Sequence, residues 1–161
     1  MRSVASYGMG DHDMADHEAT IERYFEELFN EGDLEVAEEI FADEFEYHGP
    51  PSFSPPNLKR PEQFKAFVKR YHEAFPDINY HVERVFGDGD EYAVRWEAEG
   101  THTEALFGIE GTGKSFTDEG LNMFQFEDGK IVAVWSHWDT LGMVRELGLA
   151  GPVGLTAKQQ D

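Results

Sequence analysis

Near the C-terminus, the stretch Trp135-Ser136-His137-Trp138-Asp139 sets an imidazole and a carboxylate two residues apart. On an extended strand alternate side chains share a face, so Trp135, His137 and Asp139 are expected to point the same way. A histidine beside an aspartate can share protons or orient a substrate oxygen. A carboxylate among apolar side chains has a raised pKa, which suits acid/base work. Asp139 and His137 are therefore the candidate catalytic residues. Asp139 also has a second reading, as the N-cap of a helix opening at Thr140-Leu141-Gly142. His137 has one as a half-exposed sheet residue.

Candidate binding residues lie elsewhere. His48 ends a first strand beside Tyr47, and His102 ends a later strand on the face of Trp96 and Ala98. Either fits the rim of a pocket, and either fits a solvated strand end. Tyr24 has a hydroxyl to offer a carbonyl, and Trp96, Phe124 and Trp135 can wall a ligand site or fill a core. Asn122 lies in a strand where Leu121, Met123, Phe124 and Phe126 occupy both faces, so its direction is open.

Two tempting motifs are rejected. Gly108-Ile109-Glu110-Gly111-Thr112-Gly113-Lys114-Ser115 fits the phosphate-loop pattern letter for letter. That motif works through a buried strand before it and a helix starting at its Lys-Ser. Here the upstream residues are polar, and Phe116-Thr117-Asp118-Glu119-Gly120 reads as strand, so a glycine-rich connection is expected. The histidines sit on different strands at no metal-ligand spacing, and His12 with His17 makes only a weak pair, so no metal is expected.

These residues need elements to hold them. Ile21, Tyr24, Phe25, Leu28 and Phe29 form one stripe of a helix from about 17 to 30. Asp33 suits the N-cap of a short second helix carrying Leu34, Ala37, Ile40 and Phe41. Residues 44 to 48 read as a strand, followed by a proline-rich loop, Gly49 to Asn57. Pro61 suits the first turn of a third helix, with Phe64, Phe67, Val68, Tyr71 and Phe75 as its stripe and Pro76 as its stop. The period then changes to two. Ile78, Tyr80, Val82 and Phe86 alternate with polar neighbours, Gly87-Asp88-Gly89-Asp90 signals a hairpin, and strands follow at about 92–98, 115–127 and 131–138. Helices first and a meander of antiparallel strands after is an α+β pattern. A curved sheet wrapped around three helices leaves a pocket between the layers.

Composition bounds the function. The chain has 161 residues, a length for one domain. We expect a flexible arm over residues 1–15, the domain over 16–150 and a tail over 151–161. There is no cysteine, which removes disulfides and thiol chemistry. No apolar run is long enough to span a membrane, and the N-terminus has no signal core, so a cytoplasmic location is expected. Net charge is −20, spread through every segment. That charge repels nucleic acid and anionic lipid, and it fits a halophilic setting where salt screens self-repulsion.

The residues Tyr47-His48-Gly49-Pro50, Ala74-Phe75-Pro76-Asp77, Gly89 through Trp96, Gly100-Thr101-His102, Phe126 through Ile131, and Trp135 through Gly142 follow one another in an order and spacing that resemble SnoaL-like polyketide (ester) cyclases. Their superfamily includes nuclear transport factor two and ketosteroid isomerase. The resemblance covers about residues 17–148. It implies a cone-shaped α+β barrel and a homodimer through the sheet. It also implies an aldol-type ring closure of a polyketide-like molecule without metal or cofactor, with Asp139 at the position of the acid/base aspartate. Asn122 stands where an acid is common and Gln125 where arginine is common. The expected function is a cofactor-independent cyclase or isomerase acting in an apolar pocket. The alternative is a non-catalytic protein that binds an apolar metabolite. A hydrolase of epoxide or ester type would need an arginine converging with acids, which Arg95 has the wrong parity to supply.

Overall fold

The computed structural model describes residues 11–106 and 108–150. The first described element is α1 (Asp11–Arg23), which begins ahead of the expected start near residue 17 and continues as a π-helical segment, Tyr24–Asn30; the expected arm before residue 11 and the expected tail over 151–161 lie outside the described residues. The expected stripe is all buried: Ile21, Tyr24, Phe25, Leu28 and Phe29 face the core. The looser π winding is held at its end by Glu31 N–H donating to Glu26 O at 2.9 Å. Such wide turns re-aim side chains, and they recur at functional sites.

A short α2 (Val36–Ile40) follows. Asp33 contributes its backbone carbonyl to Val36 N–H, 3.2 Å away, and not the side-chain cap expected of it. Then come β1 (Phe41–His48), a 3₁₀ turn (Pro51–Phe53) and α3 (Pro61–Ala74). Pro61 occupies the first turn of α3 as expected, and Gln63 accepts from Arg60 N–H at 3.1 Å to close a capping box.

Four strands complete the sheet: β2 (Asn79–Asp88), β3 (Glu91–Thr101), β4 (Ser115–Glu127) and β5 (Lys130–Trp138). Among the described residues the last helix is α4 (Thr140–Glu146). The sheet is curved and unclosed, in the order β1-β5-β4-β3-β2. β2 to β5 form the expected antiparallel meander. β1 corrects the all-antiparallel expectation, because it pairs with β5 in parallel. After β1, α3 carries the chain to the far edge of the sheet, so four strands of alternating direction bring β5 back parallel to β1.

The turns behave as their residues dictate. Asp128 and Gly129 both have positive φ, 50° and 76°, the requirement of a tight two-residue hairpin turn. Between Val82 and Arg84 the register of β2 slips at a bulge. The slip reverses the phase beyond it, so Phe86, expected on the inner face, is 54% exposed. The glycine-rich run 108–115 is a loop that feeds β4, with no helix at Lys114-Ser115, as expected.

The layers meet in an aromatic core. Phe41 stacks on Phe45 with ring centroids 4.2 Å apart, Phe64 packs against both, and Tyr24 meets Phe124 edge-on at 5.0 Å. Each buried phenylalanine contributes about 1.5–3 kcal/mol.

Candidate active site

Between the helices and the concave sheet lies a hollow whose polar groups come mostly from tyrosines. Tyr24, Tyr47, Tyr71 and Tyr80 line it, with Trp96, Asn122, Ser136 and Trp138 from the sheet. The elements explain the choice. The π turn starts at Tyr24 and aims it at β4, the stripe of α3 supplies Tyr71, and the inner phases of β3, β4 and β5 supply Trp96, Asn122 and the Ser136/Trp138 pair.

Hydrogen bonds give this hollow a direction. Trp96 Nε1–H donates to Asn122 Oδ1 at 3.0 Å, deep in the core. Gly120 lies opposite Trp96 in the register, and a Cβ there would strike the indole, so glycine is what lets the ring lie against β4 and reach Asn122. An indole nitrogen can only donate, so this bond fixes which way the Asn122 amide faces. Its NH₂ is then the group left to act on the Tyr24 hydroxyl, whose pKa Asn122 draws down against the larger effect of burial. A phenol oxygen that faces an amide NH₂ keeps its own O–H to give.

Burial keeps these phenols neutral. It pushes the Tyr47 hydroxyl up to about 12, against a hydrogen bond with Ser136 that pulls it down. Burial also raises Tyr24, Tyr71 and Tyr80, helped by their mutual proximity. A neutral, buried hydroxyl is a donor ready for an oxygen that gains negative charge.

One carboxylate acts on this set from outside the hollow, in the open cleft that it lines with Asp139. Asp118 shares the inner phase of β4 with Asn122, and its charge acts on both Tyr71 and Tyr80. Burial raises it from an ordinary 3.8 to about 7, with the charges of Asp139 and Glu146 adding to the rise and backbone N–H groups of Glu119 and Asp139 opposing it.

The sequence-chosen residues divide between two faces. Tyr24, Trp96, Asn122 and Phe124 are buried on the inner side, and the open direction of Asn122 resolves inward. Trp135, His137 and Asp139 do not look into the hollow. Trp135 and His137 lie opposite Met123 and Leu121, each 50% exposed on the outer face, and His48 stacks on Trp135 at 5.5 Å. The correction is one of phase: β5 is apolar in both alternations, and its inner set is Val134, Ser136 and Trp138. Asp139 is exposed and caps α4, with Oδ1 accepting from Gly142 N–H at 2.9 Å. Its carboxylate lines open clefts at the end of the sheet with Thr117, Glu119 and Glu146. Gln125 is exposed too, so its departure from the family pattern does not reach the hollow. Arg95 points outward to Glu119 at 3.1 Å.

His102 goes somewhere else. It is buried against Phe75, in a second space under α4. His17 holds Asp90 at 3.1 Å and stacks on Phe126. Among the described residues no three His, Asp or Glu side chains converge as metal ligands, and no helix is long and apolar enough to cross a membrane.

Sequence reasoning passed over Asp118, Tyr47, Ser136 and Trp138. Asp118 had a signal, since Phe116, Asp118, Asn122, Phe124 and Phe126 share one parity. Ser136 and Trp138 had none, because either phase of β5 reads as apolar.

The hollow is small as it stands. The space open to the centre of a water molecule is about 20 Å³, enough for about one water. Phe53, packed on Trp138 at 5.0 Å, lines both this hollow and the larger space under α4.

Comparison with known proteins adds a family to this geometry. A family model described as SnoaL-like polyketide cyclase matches residues 19–147. The chain is 30% identical over 128 residues to aklanonic acid methyl ester cyclase DauD of Streptomyces sp. (strain C5), covering 78% of each. Among solved structures it is similar to wild-type IdmH of Streptomyces antibioticus, with a TM-score of 0.70, 32% identity, and coverage of 82% of this chain and 98% of that one. It is also similar in fold to TsrD of Streptomyces laurentii, with a TM-score of 0.73, 21% identity, and coverage of 88% of this chain and 99% of that one.

Proposed function

This chain belongs to the SnoaL-like polyketide cyclase family, and from that premise we propose that it closes a ring on a polyketide-like carbonyl compound by a cofactor-independent aldol-type step. The observation that carries the reading is the Trp96–Asn122 hydrogen bond, which turns the amide NH₂ toward Tyr24 in a hollow lined by four buried, neutral phenols.

The chemistry needs two things. A proton must leave a carbon next to a carbonyl, and the enolate oxygen so formed must be stabilised. Tyr24 O–H serves the oxygen, and an oriented donor of this kind is worth about 10²–10³ in rate. Asp118, near 7, is half ionised at neutral pH, so it can take the carbon-bound proton and later return it. The enolate carbon attacks a second carbonyl, a C–C bond forms, and the new alkoxide receives the proton from the Asp118 carboxylic acid. Atoms and electrons balance with no oxidant. Asp139, by its charge, helps hold Asp118 at its raised value. A polycyclic substrate needs about 300 Å³ or more, so the wall must yield. Phe53 is the side chain whose displacement would join the hollow to the space behind it.

Aklanonic acid methyl ester, the compound in the relatives' names, is the first substrate to try. Tyr24→Phe should lower kcat about 100-fold with the fold intact by circular dichroism. Undiminished turnover in that variant would end the oxyanion reading. Absence of turnover in the unmodified protein, with saturable binding of the ester, would favour a carrier of apolar metabolites.

Two further expectations follow from membership. Copies pair through the outer sheet face, where Leu121 and Met123 are half exposed, and salt strengthens the pair by screening the net charge of −20. Sedimentation across a salt series tests this. A cytoplasmic, salt-rich setting fits the same charge.

A further inference from the structure

The glycine-rich run that mimics a phosphate loop has a different task in this fold. Gly113 takes positive φ, 72°, and a Cβ on Gly111 would strike the Thr103 carbonyl, so the loop folds tightly back along residues 102–104. It grips His102 from three sides. The His102 N–H donates to Lys114 O at 2.9 Å, and its carbonyl accepts from Gly113 N–H at 2.8 Å. The ring Nδ1 accepts from Thr112 N–H at 3.3 Å and has the Thr112 hydroxyl at the same distance. An amide N–H can only donate, so Nδ1 carries no proton, and in the neutral ring the proton is on Nε2. His102 is 1% exposed, and among the described residues its Nε2 has no hydrogen-bond partner. A buried donor without an acceptor is a costly thing to keep.

The place it lines is the space under α4. Phe53, Phe75, Leu141, Val144 and Leu147 line a cleft, half open to solvent, of about 400 Å³ open to the centre of a water molecule, against about 20 Å³ in the hollow. With Nδ1 turned to Thr112, Nε2 is the ring's other edge, and it is buried as the chain stands, so a ligand in this space reaches it only where the wall gives way. The walls are apolar save for His102, Ser52 and Thr140.

We propose that this cleft is a ligand site in its own right, taking a neutral aromatic or acyl group whose carbonyl oxygen accepts from His102 Nε2–H. Its size suits a ring system. A neutral ligand is favoured because the net charge of −20 repels anions. The site stands whether or not the hollow does chemistry.

Two probes of similar shape test it, 2-acetylnaphthalene and 2-isopropylnaphthalene, titrated into the full chain. The ketone should bind about fivefold tighter, the worth of one hydrogen bond. It alone should shift the ¹H–¹⁵N signal of the His102 Nε2–H. His102→Phe should equalise the two affinities, and Val144→Trp should weaken both at least about tenfold by filling the cleft. Tyr24→Phe, in the hollow, should leave both unchanged. Equal affinities in the unmodified protein, no binding of either probe, or a preference that survives His102→Phe would each overturn the assignment. So would loss of binding in Tyr24→Phe but not in Val144→Trp. If His102→Phe does not fold, the probe pair and the ring signal of the unmodified protein decide alone.

Discussion

Along β4, neighbouring residues live in opposite surroundings. Asn122, Phe124 and Phe126 are at most 2% exposed, while Leu121 and Met123, on either side of Asn122, are 50% exposed. On the inner side the polar groups are few and oriented: Asn122 has its Trp96 and Tyr24 partners, and Tyr47 has Ser136. On the outer side charges face water, as in the Arg95–Glu119 pair, and His48 lies flat on Trp135. Both faces hold histidines, acids and aromatics, so residue type does not separate them. What separates them is desolvation. A hydroxyl in the hollow keeps its proton and its direction, whereas a polar group outside is shared with water.

The largest contrast should be in stability. Phe124→Ala should cost about 3–5 kcal/mol, while Met123→Ala, one residue away, should stay within about 0.5 kcal/mol in the monomer. Urea denaturation of the two variants side by side reads this, and equal losses would erase the distinction between the faces.

Next comes the relay. Asn122→Leu should lower kcat on aklanonic acid methyl ester about 100-fold, and should cost about 1–3 kcal/mol by stranding the Trp96 N–H. His137→Ala on the outer face should leave kcat alone. A large loss in His137→Ala would restore the outer face as the reacting one.

Asp118 makes a pH prediction. In the folded protein it keeps its proton up to about 7, while the unfolded chain releases it near the ordinary 3.8. Between those values the folded state binds more protons, so this group's contribution to stability falls as pH rises, and the penalty is complete above about pH 7. Asp118→Asn should therefore match the unmodified protein near pH 4 and be the more stable of the two near about pH 8. Asp118 is only half buried, so solvent reduces the size of the effect. Urea midpoints across pH check the sign.

The finest test separates the two aspartates. Asparagine also caps helices well, so Asp139→Asn should leave stability nearly unchanged, whereas Asp139→Ala should cost about 1 kcal/mol. Removing the Asp139 charge should also lower Asp118 and move the acidic limb of the kcat–pH profile downward. Loss of turnover without that movement would make Asp139 itself the proton carrier.

Much of this was legible from local pattern. The buried stripes of α1 and α3, the Gly129 turn and the capping role of Asp139 follow from spacing and residue type, because each is decided within a few residues. The site was legible only in part. Tyr24 and Trp96 were found as aromatics of the core face, and Asp118 was readable by parity but unmarked by any motif. For Trp135 and His137 both readings stay open in the sequence because β5 offers two apolar phases, and only pairing with β4 chooses the outer one; His48, on β1, follows them by stacking on Trp135.

The sequence by itself determined the elements, their order and the family, since those rest on periodicity, turn chemistry and motif spacing along the chain. The fold alone decided which face of β5 meets the helices, that β1 closes the edge in parallel, and that His102 lies under α4 apart from the tyrosines. The physical reason is that a strand's hydrophobic alternation fixes two faces but not which one is covered. Covering is a long-range event, and it is what sets the pKa of Asp118 and the direction of the Tyr24 hydroxyl.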